Sequence, residues 1–151
     1  MKRKSILETI VALLVFLFLY TGLSKYLDSQ IFQFSLSQAP VINEYYRPIA
    51  YIVPGIELLV AVALILPKTR MIGLYSSAAL MTVFTIYLTL MVSFASHLPC
   101  GCGGVIGKMT WTQHIFFNLF FVIASIIGIR LQKNSNSLAS KHQSDIQLSK
   151  I

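Results

Sequence analysis

Apolar residues in this chain fall into four long runs, Ile6 to Leu23, Ile49 to Leu66, Ile72 to Phe94 and Thr112 to Leu131. None alternates with a period of two, and each has about the 17 to 25 residues that carry a helix across a hydrocarbon core of ~30 Å. In lipid the backbone must satisfy its own hydrogen bonds, so helices are the spanning form for such runs. The pattern predicts an all-α, polytopic membrane protein, a bundle of four transmembrane helices at about residues 6–24, 48–66, 71–95 and 112–131.

Between the first two runs lies the longest polar connection, SKYLDSQIFQFSLSQAPVINEYYRP, with Ile31, Phe32, Phe34 and Leu36 ahead of Pro40. It fits a short amphipathic element at the membrane surface, and equally an irregular covering loop. The membrane domain is expected over residues 1–131. The remaining segment, 132–151, is polar, serine-rich and free of aromatics, and is expected to be a disordered tail.

The chain has 151 residues, 56% hydrophobic and 11% charged, with a mean hydropathy of +0.73, which excludes the ordinary soluble classes. Its basic start, MKRK, resembles the n-region of a secretory signal, but no small-residue cleavage site follows the first run, so a retained helix is expected.

The distribution of basic residues gives an orientation. Lys2, Arg3, Lys4, Lys68, Arg70, Arg130, Lys133, Lys141 and Lys150 fall on one side of the four spans, and Lys25, Arg47 and Lys108 on the other. Nine against three predicts cytoplasmic termini and an outward-facing connection between the third and fourth spans, which in a bacterial inner membrane means the periplasm. The net charge of +7 is then a matter of topology, and no nucleic-acid partner is expected.

That outer connection contains HLPCGCGG, which holds both cysteines of the chain, Cys100 and Cys102, one glycine apart. A disulfide between them closes a very short ring, which Gly101 can accommodate but which gains little as a clamp. Strain makes such a bond reducible, and the glycines around it leave room for a partner protein, so exchange chemistry suits it. Two other readings stay open. His97, Cys100, Cys102 and His114 offer two imidazoles and two thiolates to zinc or copper, although the cysteine spacing is short for a zinc knuckle. The cysteines also fit a turn as small, unused hydrophobes.

Polar residues within the spans are the other candidates. Glu57, in YIVPGIELLV, lies mid-span just after Pro54 and Gly55, and reads as a functional carboxyl or as a polar tie between helices. His114 and Asn118 are four positions apart, on one face of the last span. With Lys25 at the end of the first span they form a possible polar patch under the thiols, though Lys25 also fits a snorkelling interface residue. Lys108, Lys25 and His97 are candidates for lowering a thiol pKa. Glu8 reads as an ordinary charge near a helix N-terminus. Gly22, Ser24 and the run Ser76 to Ala79 allow close helix packing.

LYTGLSKYLD at the end of the first span, PGIELLVAVALIL in the second, PCGCGG before the last and an asparagine early in that last span together resemble the methylamine utilisation MauE family, within the wider group of DoxX-like four-helix membrane proteins. The resemblance covers about Ser5 to Leu131. It implies a redox-associated role, such as maturation of a methylamine dehydrogenase-like periplasmic enzyme or work alongside a thioredoxin-like protein. By position, Cys100 and Cys102 match the family's cysteine pair, Glu57 its second-helix glutamate and Lys25 its first-helix lysine. The chain lacks the second cysteine pair of the DsbB and vitamin K epoxide reductase type of membrane oxidase, which weakens a direct quinone-coupled mechanism.

The resulting expectation is a periplasm-facing thiol and disulfide exchange protein acting through Cys100 and Cys102, a thiol-disulfide oxidoreductase if it is an enzyme. A membrane quinone is the one cofactor considered. The alternatives are a non-catalytic subunit that scaffolds a redox enzyme, and a metal-handling protein.

Overall fold

The computed structural model describes residues 2–37, 43–94 and 110–148. Among them are five α-helices: α1 (Lys2–Leu27), α2 (Ser29–Ser37), α3 (Tyr46–Ile65), α4 (Arg70–Phe94) and α5 (Trp111–Leu148), with a 3-10 turn, Asn43–Tyr45, leading into α3. The described residues contain no strand. Four of the helices are long and apolar enough to cross a membrane, over Arg3–Leu27, Tyr46–Ile65, Arg70–Ser93 and Thr112–Ser137.

The long helices form a ring in the order α1, α3, α4, α5, with α5 closing back on α1. Leu14, Phe18, Leu64 and Leu74 are fully buried along its axis, joined by Val11, Val60, Ala61, Met81 and Phe121. The outward faces carry Phe16, Leu59 and Phe116, all largely exposed, as helices surrounded by lipid require. Buried hydroxyls are satisfied within their own helices: Ser77 donates to the Gly73 carbonyl at 2.7 Å and Ser125 to that of Phe121 at 2.8 Å.

Small residues bring helices together at Gly22, Gly73 and Gly128. A Cβ on Gly22 would stand 3.2 Å from the Leu58 side chain and 3.4 Å from the Glu57 Cβ, so α1 and α3 approach closely there. A Cβ on Gly73 would come within 2.8 Å of the Leu64 backbone nitrogen, where the tight α3–α4 connection folds back. At that same end of the bundle Arg70 Nη1 donates to Glu8 Oε1 at 2.8 Å, so Glu8 ties α1 to α4 and is more than a charge near a helix end.

The connection after α1 is helical for nine residues. Phe32 and Leu36 of α2 are buried against Ala50, with Tyr46, Ile49 and Val53 around them, while Ile31 and Phe34 face outward. Of the two forms compatible with its sequence, the structure adopts the amphipathic helix. It lies across the start of α3, over the bundle end where α1 finishes.

Helix ends differ from the apolar runs. Hydropathy marks what lipid can hold, whereas a helix continues until something stops it. α1 starts at Lys2 in a stretch of good helix formers, and α5 runs on to Leu148 because no glycine or proline follows Gly128 in the described residues. Its backbone is therefore helical where the polar composition predicts a disordered tail.

Candidate functional site: a buried ion pair in an apolar cavity

α3 begins at the bundle end where α1 finishes, and Glu57, its twelfth residue, lies about 16 Å along the helix axis at 1.5 Å per residue. The antiparallel packing at Gly22 sets Glu57 level with the last turns of α1. From one turn further along α1, the Lys25 ammonium turns inward and donates to Glu57 Oε1 in a close ion pair. The Glu57 side chain is 1% exposed, and a carboxylate at that depth requires a counter-charge.

Two rings flank the ammonium. Lys25 Nζ is 4.8 Å from the ring centroid of Phe84 on α4 and 5.7 Å from that of Phe32 on α2, so aromatic faces complete its shell where water is scarce. The second carboxylate oxygen, Glu57 Oε2, is buried with no hydrogen-bond partner among the described residues. Thr21 stands beside the carboxyl, but its single hydroxyl proton goes to the Leu17 carbonyl at 2.9 Å.

The pair faces a cavity of about 280 Å³ between the four long helices and α2. Ser24 and Thr21 of α1, Met81 and Tyr87 of α4, and His114 and Asn118 of α5 contribute to its wall, which is otherwise apolar. Asn118 is buried, 4% exposed. α5 is started by a reciprocal cap: the Thr110 amide donates to Gln113 Oε1 at 3.0 Å, and the Gln113 amide donates to Thr110 Oγ1 at 3.4 Å. The cap fixes where the helix begins, and with it the depth at which His114 and Asn118 enter the cavity.

Of the residues singled out in the sequence, Lys25, Glu57, His114 and Asn118 are brought together. Lys25 does not snorkel. His97, Cys100, Cys102 and Lys108 lie outside the described residues, as do three of the four residues of the alternative metal set. Among the described residues no group of three or more His, Cys, Asp or Glu side chains is arranged to hold a metal. α4 ends and α5 begins on the side of the bundle where the cavity lies, and residues 95–109 fall between them in the chain.

Sequence reasoning missed the pairing of Lys25 with Glu57 and the aromatic shell from Phe32 and Phe84. The available signal was the cost of an isolated carboxylate in lipid, which demands a cation from another helix.

The family profile of methylamine utilisation protein MauE matches residues 3–131, which take in the first three spanning helices and most of the fourth span. The chain belongs to the MauE family. It is a multi-pass membrane protein with the four-helix membrane architecture expected from its sequence. No curated protein and no solved structure gives a significant match. In this MauE-family chain the matched region contains both the buried pair and the two cysteines.

Proposed function

We propose that this MauE-family protein exchanges thiol and disulfide equivalents through Cys100 and Cys102, at the periplasmic face of a bacterial inner membrane. One observation carries the reading. The only cysteines of the chain, one glycine apart, fall in the sequence between α4 and α5, and α4 ends and α5 begins at the end of the bundle that holds the Lys25–Glu57 cavity. The excess of lysine and arginine on the opposite side supports an oxidising, periplasmic location for that segment.

The chemistry is a disulfide exchange. The thiolate of one cysteine attacks a sulfur of the partner's disulfide, forming a mixed disulfide and releasing the partner's other sulfur as a thiolate. The second cysteine then attacks the mixed disulfide, leaving a Cys100–Cys102 disulfide and a partner reduced by two electrons. Run in reverse, the same steps oxidise the partner. The partner class is a soluble thioredoxin-like protein or a disulfide-rich periplasmic enzyme subunit, and the role is maturation of such proteins.

The test is capture of the mixed disulfide. With Cys100→Ser or Cys102→Ser the mixed disulfide formed by the remaining cysteine cannot be resolved, and one of the two variants accumulates a covalent adduct with a periplasmic thioredoxin-like protein that reductant releases. If neither variant forms an adduct, and if the double serine variant supports maturation of the periplasmic client as wild type does, the exchange role is excluded.

A further inference from the structure

The two ends of the helical ring differ in charge. α1 starts, α3 stops and α4 starts at one end, where Arg70 meets Glu8 and Gly73 meets Leu64. α5 reaches the same end: a Cβ on Gly128 would stand 2.9 Å from Leu74 of α4 and 3.4 Å from Ile10 of α1, and Arg130 and Lys133 follow it. Arg3, Lys4, Lys68, Arg70, Arg130 and Lys133 therefore face a single acid there, Glu8. Arg70 takes it, and the other five cations, all exposed, have no acidic partner among the described residues. Towards the opposite end Lys25 and Arg47 stand with Glu57, Asp28 and Glu44, so the described residues carry no positive excess there.

An apolar groove runs down the outside of the ring from the basic end. It lies between α3 and α4, encloses about 490 Å³, and is bordered by Leu59 and Ala63 of α3 and by Ile72, Ser76, Ala79 and Val83 of α4. Leu59, Ile72 and Val83 are each more than half exposed, so the groove opens on the surface that lipid bathes. From Ile72 to Val83 it extends roughly 16 Å at 1.5 Å per residue, close to the depth of one leaflet's hydrocarbon, half of ~30 Å. At its head is the α3–α4 connection, with exposed Lys68 four residues before Ile72.

We propose that the α3–α4 groove binds one anionic phospholipid from the leaflet at the basic end, with an acyl chain along the groove and the phosphate against the Lys68 ammonium. A groove alone takes any lipid tail, and surplus charge alone gathers anionic headgroups without fixing them. A cation at the head of a groove of acyl-chain length does both: charge selects the headgroup and shape holds the tail. A zwitterionic lipid brings its own cation beside the phosphate and gains little from a rim of unpaired lysines and arginines. A soluble phosphate compound has no tail to place between Leu59 and Val83. The site does not depend on the chemistry of Cys100 and Cys102.

The experiment places the full chain in nanodiscs of equal parts phosphatidylglycerol and phosphatidylcholine with identical acyl chains, and counts by native mass spectrometry the lipid that stays on the released protein. The expected result is one retained lipid per chain, phosphatidylglycerol preferred by at least about tenfold. Lys68→Gln should lower that preference about fivefold, the effect of one cation at a charged membrane surface. Ala79→Trp fills the groove from an exposed position and should abolish retention while keeping wild-type helical content by circular dichroism.

Equal retention of the two lipids by wild type overturns the site, as does a preference unchanged in Lys68→Gln or a lipid still retained in Ala79→Trp. Displacement of the lipid by millimolar inorganic phosphate also overturns it, because the tail would then contribute nothing. A dimer that Ala79→Trp breaks would assign the groove to a second copy of the chain instead.

Discussion

Lys25 and Glu57, 32 positions apart in the chain, meet as an ion pair inside the helical ring, one near the end of α1 and the other midway along α3. Breaking such a pair from one side leaves a lone charge in an apolar interior. Removing both leaves only a change of shape.

A double-mutant cycle follows. Lys25→Met alone should lower stability by about 3–5 kcal/mol, and Lys25→Met with Glu57→Gln should recover most of that loss. Reversible unfolding in mixed micelles reads both values. A loss in the double variant equal to the sum of the losses for Lys25→Met alone and Glu57→Gln alone would mean that the two charges are not coupled.

Gly22 and Gly55 provide a second contrast. A side chain on Gly22 meets Leu58 and Glu57, whereas one on Gly55 meets nothing within 4 Å. Gly22→Val should push α1 off α3 and cost roughly 1–3 kcal/mol, with Gly55→Ala within about 1 kcal/mol of wild type. The same unfolding assay compares them.

α2 covers the cavity end through one of its faces. Phe32→Ala, at a buried position beside Lys25, should destabilise the protein by roughly 1–3 kcal/mol. Phe34→Ala, at an exposed position two residues on, should leave the transition unchanged in detergent. Thermal melts of the two variants side by side give the answer.

The cap of α5 is a fourth target. Thr110→Ala removes the acceptor for the Gln113 amide and should cost about 0.5–2 kcal/mol. Hydrogen exchange should show faster exchange confined to the first turns of α5, where His114 lies, and no change in the other spanning helices.

The spanning helices were legible because apolar run length and lipid thickness are the same constraint. Glu57 was legible for the converse reason, as a carboxylate where hydration is missing, and His114 and Asn118 because four positions share a helix face. The partner of Glu57 was not. Whether Lys25 reaches outward to water or inward to a carboxylate depends on the register of α1 against α3, which the close approach at Gly22 sets and which no local pattern encodes. The helix in Ser29–Ser37 was undecided because its apolar positions, Ile31, Phe32, Phe34 and Leu36, serve an amphipathic helix and a covering loop alike. Packing of Phe32 and Leu36 on the start of α3 decides between them.

The most direct test of the proposed role is a thiol-trapping titration of the purified full-length protein across defined redox buffers, with metal content measured on the same sample. The account predicts a reversible two-electron transition between dithiol and Cys100–Cys102 disulfide, lost on replacing either cysteine by serine and independent of bound metal. Thiols that never pair at any potential, or a stoichiometric metal that protects them from the trap, would contradict it.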